Sequence, residues 1–311
     1  MNTDRPLFGI ALMLGFCALA PFADALAKLL GPEMGVGQLV TLRFAFQAAI
    51  LLPFALFTRR SMRMTRRIAT LVSLRTLLHI AGIATVFTSL LYLPLADAIA
   101  IAYVMPFILL LMGHYILGEE VGWRRLAACA VGFSGTLLVI QPAFDDVGWP
   151  ALLPVAVAFI FAAFMLVTRR IAGETDPIGM QAVSALIALA IMIPLMALSP
   201  ASGALDWTPP STKGSALIAA MGVAGTFAHL LMTWSLRYAP ASTLAPMQYL
   251  EIPMATLIGW MLFSDLPGPL AALGIAITIG SGLYVVMRER ATHRALRQVP
   301  QATPRGTPPA E

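Results

Sequence analysis

Charged residues are scarce in this chain: Asp, Glu, Lys and Arg make up only 11% of its 311 residues, while apolar residues make up 59%. Soluble domains carry about a quarter charged residues, because their surface must face water. The composition therefore excludes an ordinary soluble fold and favours a protein surrounded by lipid. Its apolar runs are continuous rather than alternating, which favours membrane-spanning α-helices over the strands of an outer-membrane barrel.

Residues that bind metals or phosphates in recognisable patterns are also missing. Both cysteines, Cys17 and Cys129, fall inside apolar runs, where cysteine usually behaves as a small buried hydrophobe. The sequence holds neither a paired His or Cys ligand motif nor the glycine-rich loop that grips nucleotide phosphates. We therefore expect no disulfide, metal or cofactor, and we do not expect the chain to be an enzyme.

The apolar residues gather into ten segments, several of which reach the length of about 20 residues that a bilayer requires. They run over 7–30, 36–57, 69–91, 95–117, 124–141, 149–171, 178–198, 214–236, 240–263 and 268–287. The sequence thus predicts an all-α polytopic membrane protein with ten transmembrane helices. The first run is expected to be a span rather than a cleaved signal peptide, since Pro21 would follow the cleavage site. Residues 289–311 are predicted to form a disordered cytoplasmic tail.

Basic residues orient these spans. With the N-terminus in the cytoplasm, sixteen of the twenty Lys and Arg residues lie on the cytoplasmic side and only Lys213 lies outside. This bias follows the positive-inside rule and predicts a bacterial inner-membrane protein with both termini cytoplasmic. The arginines would face anionic lipid, so the net charge of +5 requires no nucleic-acid partner. A homodimer is an open alternative to a monomer.

The two halves of the chain repeat one another weakly. Ile193-Pro194-Leu195 resembles Leu52-Pro53-Phe54, and Ser281-Gly282 resembles Ser134-Gly135, at offsets of 141 and 147 residues. We place the repeats at 7–141 and 149–288. Because each would contain five helices, the second copy must enter the membrane inverted, an arrangement typical of transporters.

Several of these segments resemble the EamA family of the drug/metabolite transporter superfamily. The resemblance is carried by Arg43, by Leu93-Pro94-Leu95-Ala96-Asp97-Ala98, by Leu117-Gly118-Glu119-Glu120, and by Gly132 with Ser134-Gly135. The first half is most similar to bacterial riboflavin and S-adenosylmethionine carriers. The second half departs from the family pattern, because Leu262-Phe263-Ser264-Asp265 replaces its usual Leu-Gly-Glu ending. The resemblance implies a carrier of small organic solutes.

Ionisable residues inside the predicted spans are candidate site residues, since a charge in the bilayer requires a partner or a function. Asp24 and Lys28 lie four apart in the first span, where they can pair on one helix face. The alternative places Asp24 in an outer vestibule with Arg43 and Gln47 of the second span. Both interpretations stay open from sequence.

Glu251 lies near the centre of the predicted ninth span, preceded by Gln248 and Tyr249. Prolines on either side of it would free backbone carbonyls, as prolines in cavity-lining helices do. In the repeat alignment Tyr103 matches Pro246 and Pro106 matches Tyr249, so the fourth and ninth spans each carry a Tyr and a Pro three residues apart. We therefore predict a substrate site in which the tyrosines contact a flat group and Glu251 and Gln248 bind polar groups or a proton.

His79 is a second candidate for proton coupling, because histidine titrates near neutral pH. Arg75 is expected to reach the inner interface by extending its side chain. A rival interpretation combines Ser134, in a Gly-x-Ser-Gly string, with His229 as an intramembrane serine protease. The repeated Ser-Gly pair argues instead for close helix packing. A channel is disfavoured because two inverted halves suit alternating access.

The sequence therefore predicts a secondary transporter for a small organic metabolite. Uptake of riboflavin or a similar heteroaromatic compound is the specific hypothesis. Export of amino acids or related metabolites, and transport of S-adenosylmethionine, are the alternatives. Coupling to protons or another ion is left open.

Overall fold

Helices make up nearly all of the structure, a computed structural model that describes residues 6–105, 107–108, 112, 123–198, 205–238, 244 and 248–298. No strand occurs in these ranges. Ten α-helices follow one another, and a short 3-10 helix, Trp149–Leu152, precedes the sixth. They are α1 (Pro6–Leu30), α2 (Val36–Phe57), α3 (Arg66–Leu90), α4 (Leu95–Ala102), α5 (Trp123–Val147), α6 (Leu153–Ile171), α7 (Pro177–Leu198), α8 (Thr212–Tyr238), α9 (Glu251–Phe263) and α10 (Pro269–Gln298).

Six segments in the described part of the chain are long and apolar enough to cross a membrane. They are α1, α2, α3, α6 together with its preceding 3-10 turn, α7 and α8. The apolar parts of α9 and α10, Glu251–Phe263 and Pro269–Ser281, are shorter. Parts of the predicted fourth and ninth spans, 95–117 and 240–263, lie outside the described residues, as do Leu117-Gly118-Glu119-Glu120. The protein is thus a polytopic helical membrane protein.

Helices of the first half pack against helices of the second half. The extensive pairs are α1 with α8, α2 with α7, α3 with α6, α4 with α9 and α5 with α10. The α1–α8 pair is antiparallel: Phe8 meets Tyr238 at one end, with ring centroids 5.1 Å apart, while Glu33 lies beside Gly214 at the other. The α3–α6 pair is also antiparallel, because Arg75 contacts Thr168 and Gly82 contacts Phe161.

Small residues allow α5 and α10 to approach closely. A Cβ added to Gly135 would lie 2.8 Å from the carbonyl oxygen of Gly274, and one added to Gly274 would lie 2.5 Å from that of Gly135. Ser281 donates a hydrogen bond across the same interface to the carbonyl of Ala128. Such backbone contact is typical of membrane helix pairs. The hydrophobic effect does not drive helices together within lipid, and small residues allow close van der Waals packing instead.

Two turns interrupt the helical path near the middle of the protein. Helix α4 ends at Ala102, after which Tyr103 and Val104 form a turn. Tyr249 and Leu250 form another turn before α9 begins at Glu251. Pro253 has no N–H to continue an α-helical bond back to the carbonyl of Tyr249, which accepts from Ile252 instead at 3.3 Å. Glu251 therefore stands at a helix start rather than inside a continuous span.

The last helix continues through Gln298. It therefore includes residues 289–298, the beginning of the segment for which the sequence predicts a disordered tail. The reason is local: residues 288–298 are rich in Arg, Ala, Glu and Leu, which favour helix, and the first later proline is Pro300. The remainder, 299–311, lies outside the described residues.

Candidate functional site

A cavity lies between the two halves, lined by α1, α2, α3 and α4 of the first and by α6, α8 and the start of α9 of the second. The empty space between its lining atoms is about 990 Å³, including the part open to solvent. Most of the wall is apolar and includes Phe16, Ile83, Val86, Leu90, Phe161 and Met165. Small-molecule sites are typically lined by apolar and aromatic side chains with a few polar groups that fix orientation. The lining therefore suits a metabolite with an apolar or aromatic part.

Tyr103 and Glu251 form the polar centre of one wall. The Tyr103 hydroxyl donates a 2.5 Å hydrogen bond to Oε2 of Glu251, and both residues line the cavity. Each stands at a helix break, which brings side chains 148 residues apart in sequence into contact. The carboxylate also lies at the N-terminus of α9, where the helix dipole favours negative charge. Gln248 lines the same wall.

Tyr249 supports this wall from behind. Its ring packs against that of Tyr103, with centroids 5.4 Å apart, and it belongs to the buried cluster between α4 and α9. It is not among the residues that line the cavity. The structure thus brings the two predicted tyrosines together, but gives them different positions relative to a ligand.

Asp24 and Arg43 form a second polar region of the cavity. Both line it, and their charges interact electrostatically. Arg43 is only 3% exposed; its Nη2 donates to the carbonyl of Gly225 at 3.0 Å, while Nη1 has no partner among the described residues. A Cβ on Gly225 would lie 2.8 Å from Nε of Arg43, so glycine is needed for this close approach. This part of the cavity therefore offers an acidic group and an unpartnered donor that interact electrostatically.

Lys28 does not pair with Asp24, so of the two interpretations left open by the sequence the local pair does not occur in the structure. Lys28 instead donates to the carbonyl of Leu93 at 2.9 Å and forms an ion pair with Asp265 at 3.4 Å. It also lies 4.9 Å from the centre of the Phe263 ring. These groups come from loops that sequence spacing alone does not bring together. Because Lys28 pairs with Asp265, Asp24 is not neutralised by Lys28 and lines the cavity.

Gln47 and His79 lie deeper than the cavity wall. Gln47 donates to the backbone carbonyl of Gln181 at 2.9 Å, and His79 is fully buried against His229, with ring centroids 4.3 Å apart. Neither lines the cavity, although His229 does. Sequence reasoning missed Gln181, a polar residue inside the apolar run of α7 that could have been noticed. It also missed Gly225, which carries no distinguishing signal.

Arg75 is completely buried, so the prediction that it extends to the inner interface was wrong. Its Nε donates to Thr168 at 2.9 Å, and Nη1 donates to Ser184 at 3.2 Å. These partners belong to α6 and α7 of the other half, and they hold the side chain between the helices. Nearer the helix ends, the ion pairs Arg60–Asp176 and Arg67–Glu174 also join the halves.

Two further features concern metal binding and the serine protease interpretation. In the described ranges no group of three or more His, Cys, Asp or Glu is arranged to hold a metal ion. The Ser134 hydroxyl is exposed on α5 and donates to the carbonyl of Val131 in its own helix, while His229 lies in the cavity.

A helical membrane protein whose two halves enclose a mostly apolar cavity with a few polar groups has the architecture of a small-molecule transporter. The chain belongs to the EamA-like transporter family, whose sequence profile matches residues 7–141 and again 148–287. This match confirms the resemblance found in the sequence.

Individual relatives agree with this class. A riboflavin transporter of Rhizobium johnstonii is 30% identical over 71% of this chain and 71% of its own length. An S-adenosylmethionine uptake transporter of Rickettsia prowazekii is 24% identical over 91% of this chain and 94% of its own. One solved crystal structure superposes with a TM-score of 0.63 at 19% identity, covering 92% of this chain and 98% of that one, and shows the shared fold.

Proposed function

We propose that this chain is a secondary transporter that takes up riboflavin, or a similar heteroaromatic metabolite, across the bacterial inner membrane. The observation that carries the proposal is the joint presence in one cavity of an apolar aromatic wall and of two separate polar regions, Tyr103–Glu251 and Asp24–Arg43. A flat ring system with hydrogen-bonding edges fits such a wall. The similarity to a riboflavin transporter supports this choice of solute.

The polar groups match the edges of a heteroaromatic ring. The unpartnered Nη1 of Arg43 is suited to a ring carbonyl, and the neighbouring Asp24 carboxylate is suited to a ring N–H. Glu251 and Gln248 can accept hydrogen bonds from hydroxyl groups of an attached chain. Phe16 and Phe161 offer faces for stacking. In this arrangement the apolar contacts supply affinity, and the two polar regions set the orientation of the solute.

A second candidate is S-adenosylmethionine or another solute with an α-amino acid group. It is favoured by the opposite charges of Asp24 and Arg43, which match an ammonium and a carboxylate. A relative named as an S-adenosylmethionine uptake transporter adds support. An amino-acid exporter would use the same pair, because direction is determined by the gradients rather than by the groups that line the cavity.

We propose further that the chain crosses the membrane ten times as two inverted five-helix repeats, with both termini in the cytoplasm. Inverted repeats are related by a twofold axis in the membrane plane, which would exchange the α1–α8 pair with the α3–α6 pair. Both pairs pack antiparallel, and this supports inversion. The α4–α9 and α5–α10 pairs would each lie across that axis, and both run antiparallel. The positive-inside bias supports the orientation.

In this topology the cavity reaches toward the outer side, because its lining includes Asp24 and Leu90 near the outer ends of α1 and α3. The inner side is held together by the Arg75 contacts and by the ion pairs of Arg60 and Arg67. Access would change when α3 and α4 move against α8 and α9. Glu251 and His79 are the proposed groups for proton coupling.

Uptake tests the proposal directly. A riboflavin-auxotrophic bacterium without its own uptake system should grow on low riboflavin when it expresses this chain. Proteoliposomes should show saturable uptake of labelled riboflavin that is accelerated by internal unlabelled riboflavin. S-adenosylmethionine and a panel of amino acids serve as competing solutes. Transport of S-adenosylmethionine without riboflavin would select the second candidate, and transport of none of these would refute both.

A further inference from the structure

Three basic side chains lie together beneath the cavity: Arg75, His79 and His229, which we call the inner cationic cluster. The two imidazole rings are in contact, with centroids 4.3 Å apart. Phe164 packs on the guanidinium of Arg75 at 4.5 Å and on His79 at 4.9 Å. Arg75 acts electrostatically on both imidazoles, as does Arg43 from the cavity. The fixed positive charge of the Arg75 guanidinium therefore lies inside the protein, next to two buried imidazole rings.

No carboxylate in the described ranges pairs with Arg75. Its hydrogen-bond acceptors are the hydroxyls of Thr168 and Ser184 and, at 3.4 Å, the side-chain oxygen of Gln181, all of them neutral. Of the two carboxylates that line the cavity, Asp24 interacts electrostatically with Arg43, and Glu251 accepts a hydrogen bond from Tyr103. Because an unpaired buried charge is strongly unfavourable, a bound anion would stabilise the guanidinium in this position.

The cluster also has unused hydrogen-bonding atoms. Nη2 of Arg75, both ring nitrogens of His79 and Nδ1 of His229 are buried and have no hydrogen-bond partner among the described residues. Buried polar atoms without partners commonly indicate a water or an ion that completes the site. Here the unpartnered atoms include a guanidinium N–H, a donor that forms strong charge-assisted hydrogen bonds to anionic groups such as carboxylates.

We propose that the inner cationic cluster is an anion subsite of the transport pathway, which takes one small monovalent group, a halide or a carboxylate. Arg75 supplies the charge, and the imidazole N–H groups supply further donors. His229 lines the cavity and so connects it to the cluster. The anion is either a co-bound inorganic ion or the carboxylate of the transported solute. The inference rests on the proposed transport cavity, but it does not depend on which solute is carried.

Anion binding can be measured without transport. The thermal unfolding midpoint of the purified protein in detergent is measured in sodium chloride and in sodium acetate. Sodium gluconate of equal ionic strength is the reference salt, because the gluconate anion is too large for the cluster. A saturable rise of the unfolding midpoint with chloride or acetate is expected for the unmodified protein. The rise should disappear in Arg75→Gln and persist in Arg75→Lys, which keeps the positive charge. The lysine variant also provides the comparison if the glutamine variant folds poorly. Lys213→Gln, at the exposed start of α8, is the matched control.

A second arm distinguishes the two sources of the anion. If inorganic salts have no specific effect, S-adenosylmethionine should still stabilise the protein more than its decarboxylated analogue, and Arg75→Gln should remove the difference. That result assigns the subsite to the carboxylate of the solute. Equal midpoints in all salts, together with equal stabilisation by the two analogues, would overturn the anion subsite. Riboflavin uptake would be unaffected by that outcome, so the two proposals fail independently.

Discussion

The hydroxyl of Tyr103 donates a hydrogen bond to the carboxylate of Glu251 and so joins the end of α4 to the start of α9. The contact crosses from one half of the molecule to the other inside the cavity. Any solute that binds to Glu251 must therefore compete with Tyr103 or share the carboxylate with it.

Replacing Glu251 with Gln should lower the uptake rate at low solute concentration by about tenfold or more. A hydrogen bond to a charged group is worth about 1.5–3 kcal/mol, and each 1.4 kcal/mol corresponds to a factor of ten. Tyr103→Phe should have a smaller effect, because it leaves the carboxylate in place. Trp260→Phe, on the exposed face of the same helix, should transport normally. Unchanged uptake by Glu251→Gln would remove this residue from the site.

Gly225→Ala should impair solute binding while the protein still reaches the membrane. The new methyl group would lie 2.8–3.0 Å from atoms of the Arg43 guanidinium and would displace it from the Gly225 carbonyl. We expect KM to rise by about tenfold, on the scale of one charged hydrogen bond. Gly280→Ala, where a Cβ meets nothing within 4 Å, is the control. An equal KM for the two variants would show that the position of Arg43 does not matter for binding.

Asp176→Ala should reduce thermal stability more than Glu174→Ala does. Asp176 precedes α7 and accepts the backbone N–H of Gly179 at 3.0 Å, in addition to its contact with Arg60. Loss of such a helix cap costs about 1 kcal/mol, or roughly 2–4 °C in Tm. Glu174 contacts Arg67 with both side chains about half exposed, a kind of pair that contributes little. Thermal unfolding in detergent compares the two, and a larger loss for Glu174→Ala would contradict the capping role.

Gly135→Ala should destabilise the protein, although alanine favours helix by about 1 kcal/mol over glycine. Its Cβ would press on the backbone carbonyl of Gly274, which cannot move aside without separating α5 from α10, and overpacking costs about 1–3 kcal/mol. Ser134→Ala, one residue earlier, should leave both Tm and uptake unchanged because its hydroxyl is exposed and bonds within its own helix. Loss of uptake in Ser134→Ala would reopen the protease interpretation.

Sequence reasoning worked best where hydrophobicity decides the structure. Apolar runs located the six long membrane helices found in the described residues. The rarity of charge inside the apolar runs pointed to Asp24, Arg43 and Glu251, which all line the cavity. The repeat alignment selected Tyr103 and Tyr249 as candidates on corresponding spans, and the structure shows in addition that their rings are in contact. Each of these inferences rests on a property of one segment or on a comparison of two segments.

Predictions failed where a local contact competed with a distant one. Lys28 prefers Asp265, which lies 237 residues away, over Asp24, which lies one turn away. Arg75 stays inside the protein because Thr168 and Ser184 bind it there. Such partners become visible only when the helices are assembled, so a residue's hydropathy and spacing could not reveal them.

The burial of Arg75 has a consequence for how the chain is made. Its hydrogen-bonding partners lie 93 to 109 residues further along, so α3 leaves the ribosome well before they have been synthesised. Until then the guanidinium lacks these partners, so placing α3 in the bilayer costs about 3 kcal/mol on insertion scales. The N-terminal half on its own is therefore an incomplete product that quality-control proteases should recognise, and supplying the C-terminal half as a separate chain should rescue it.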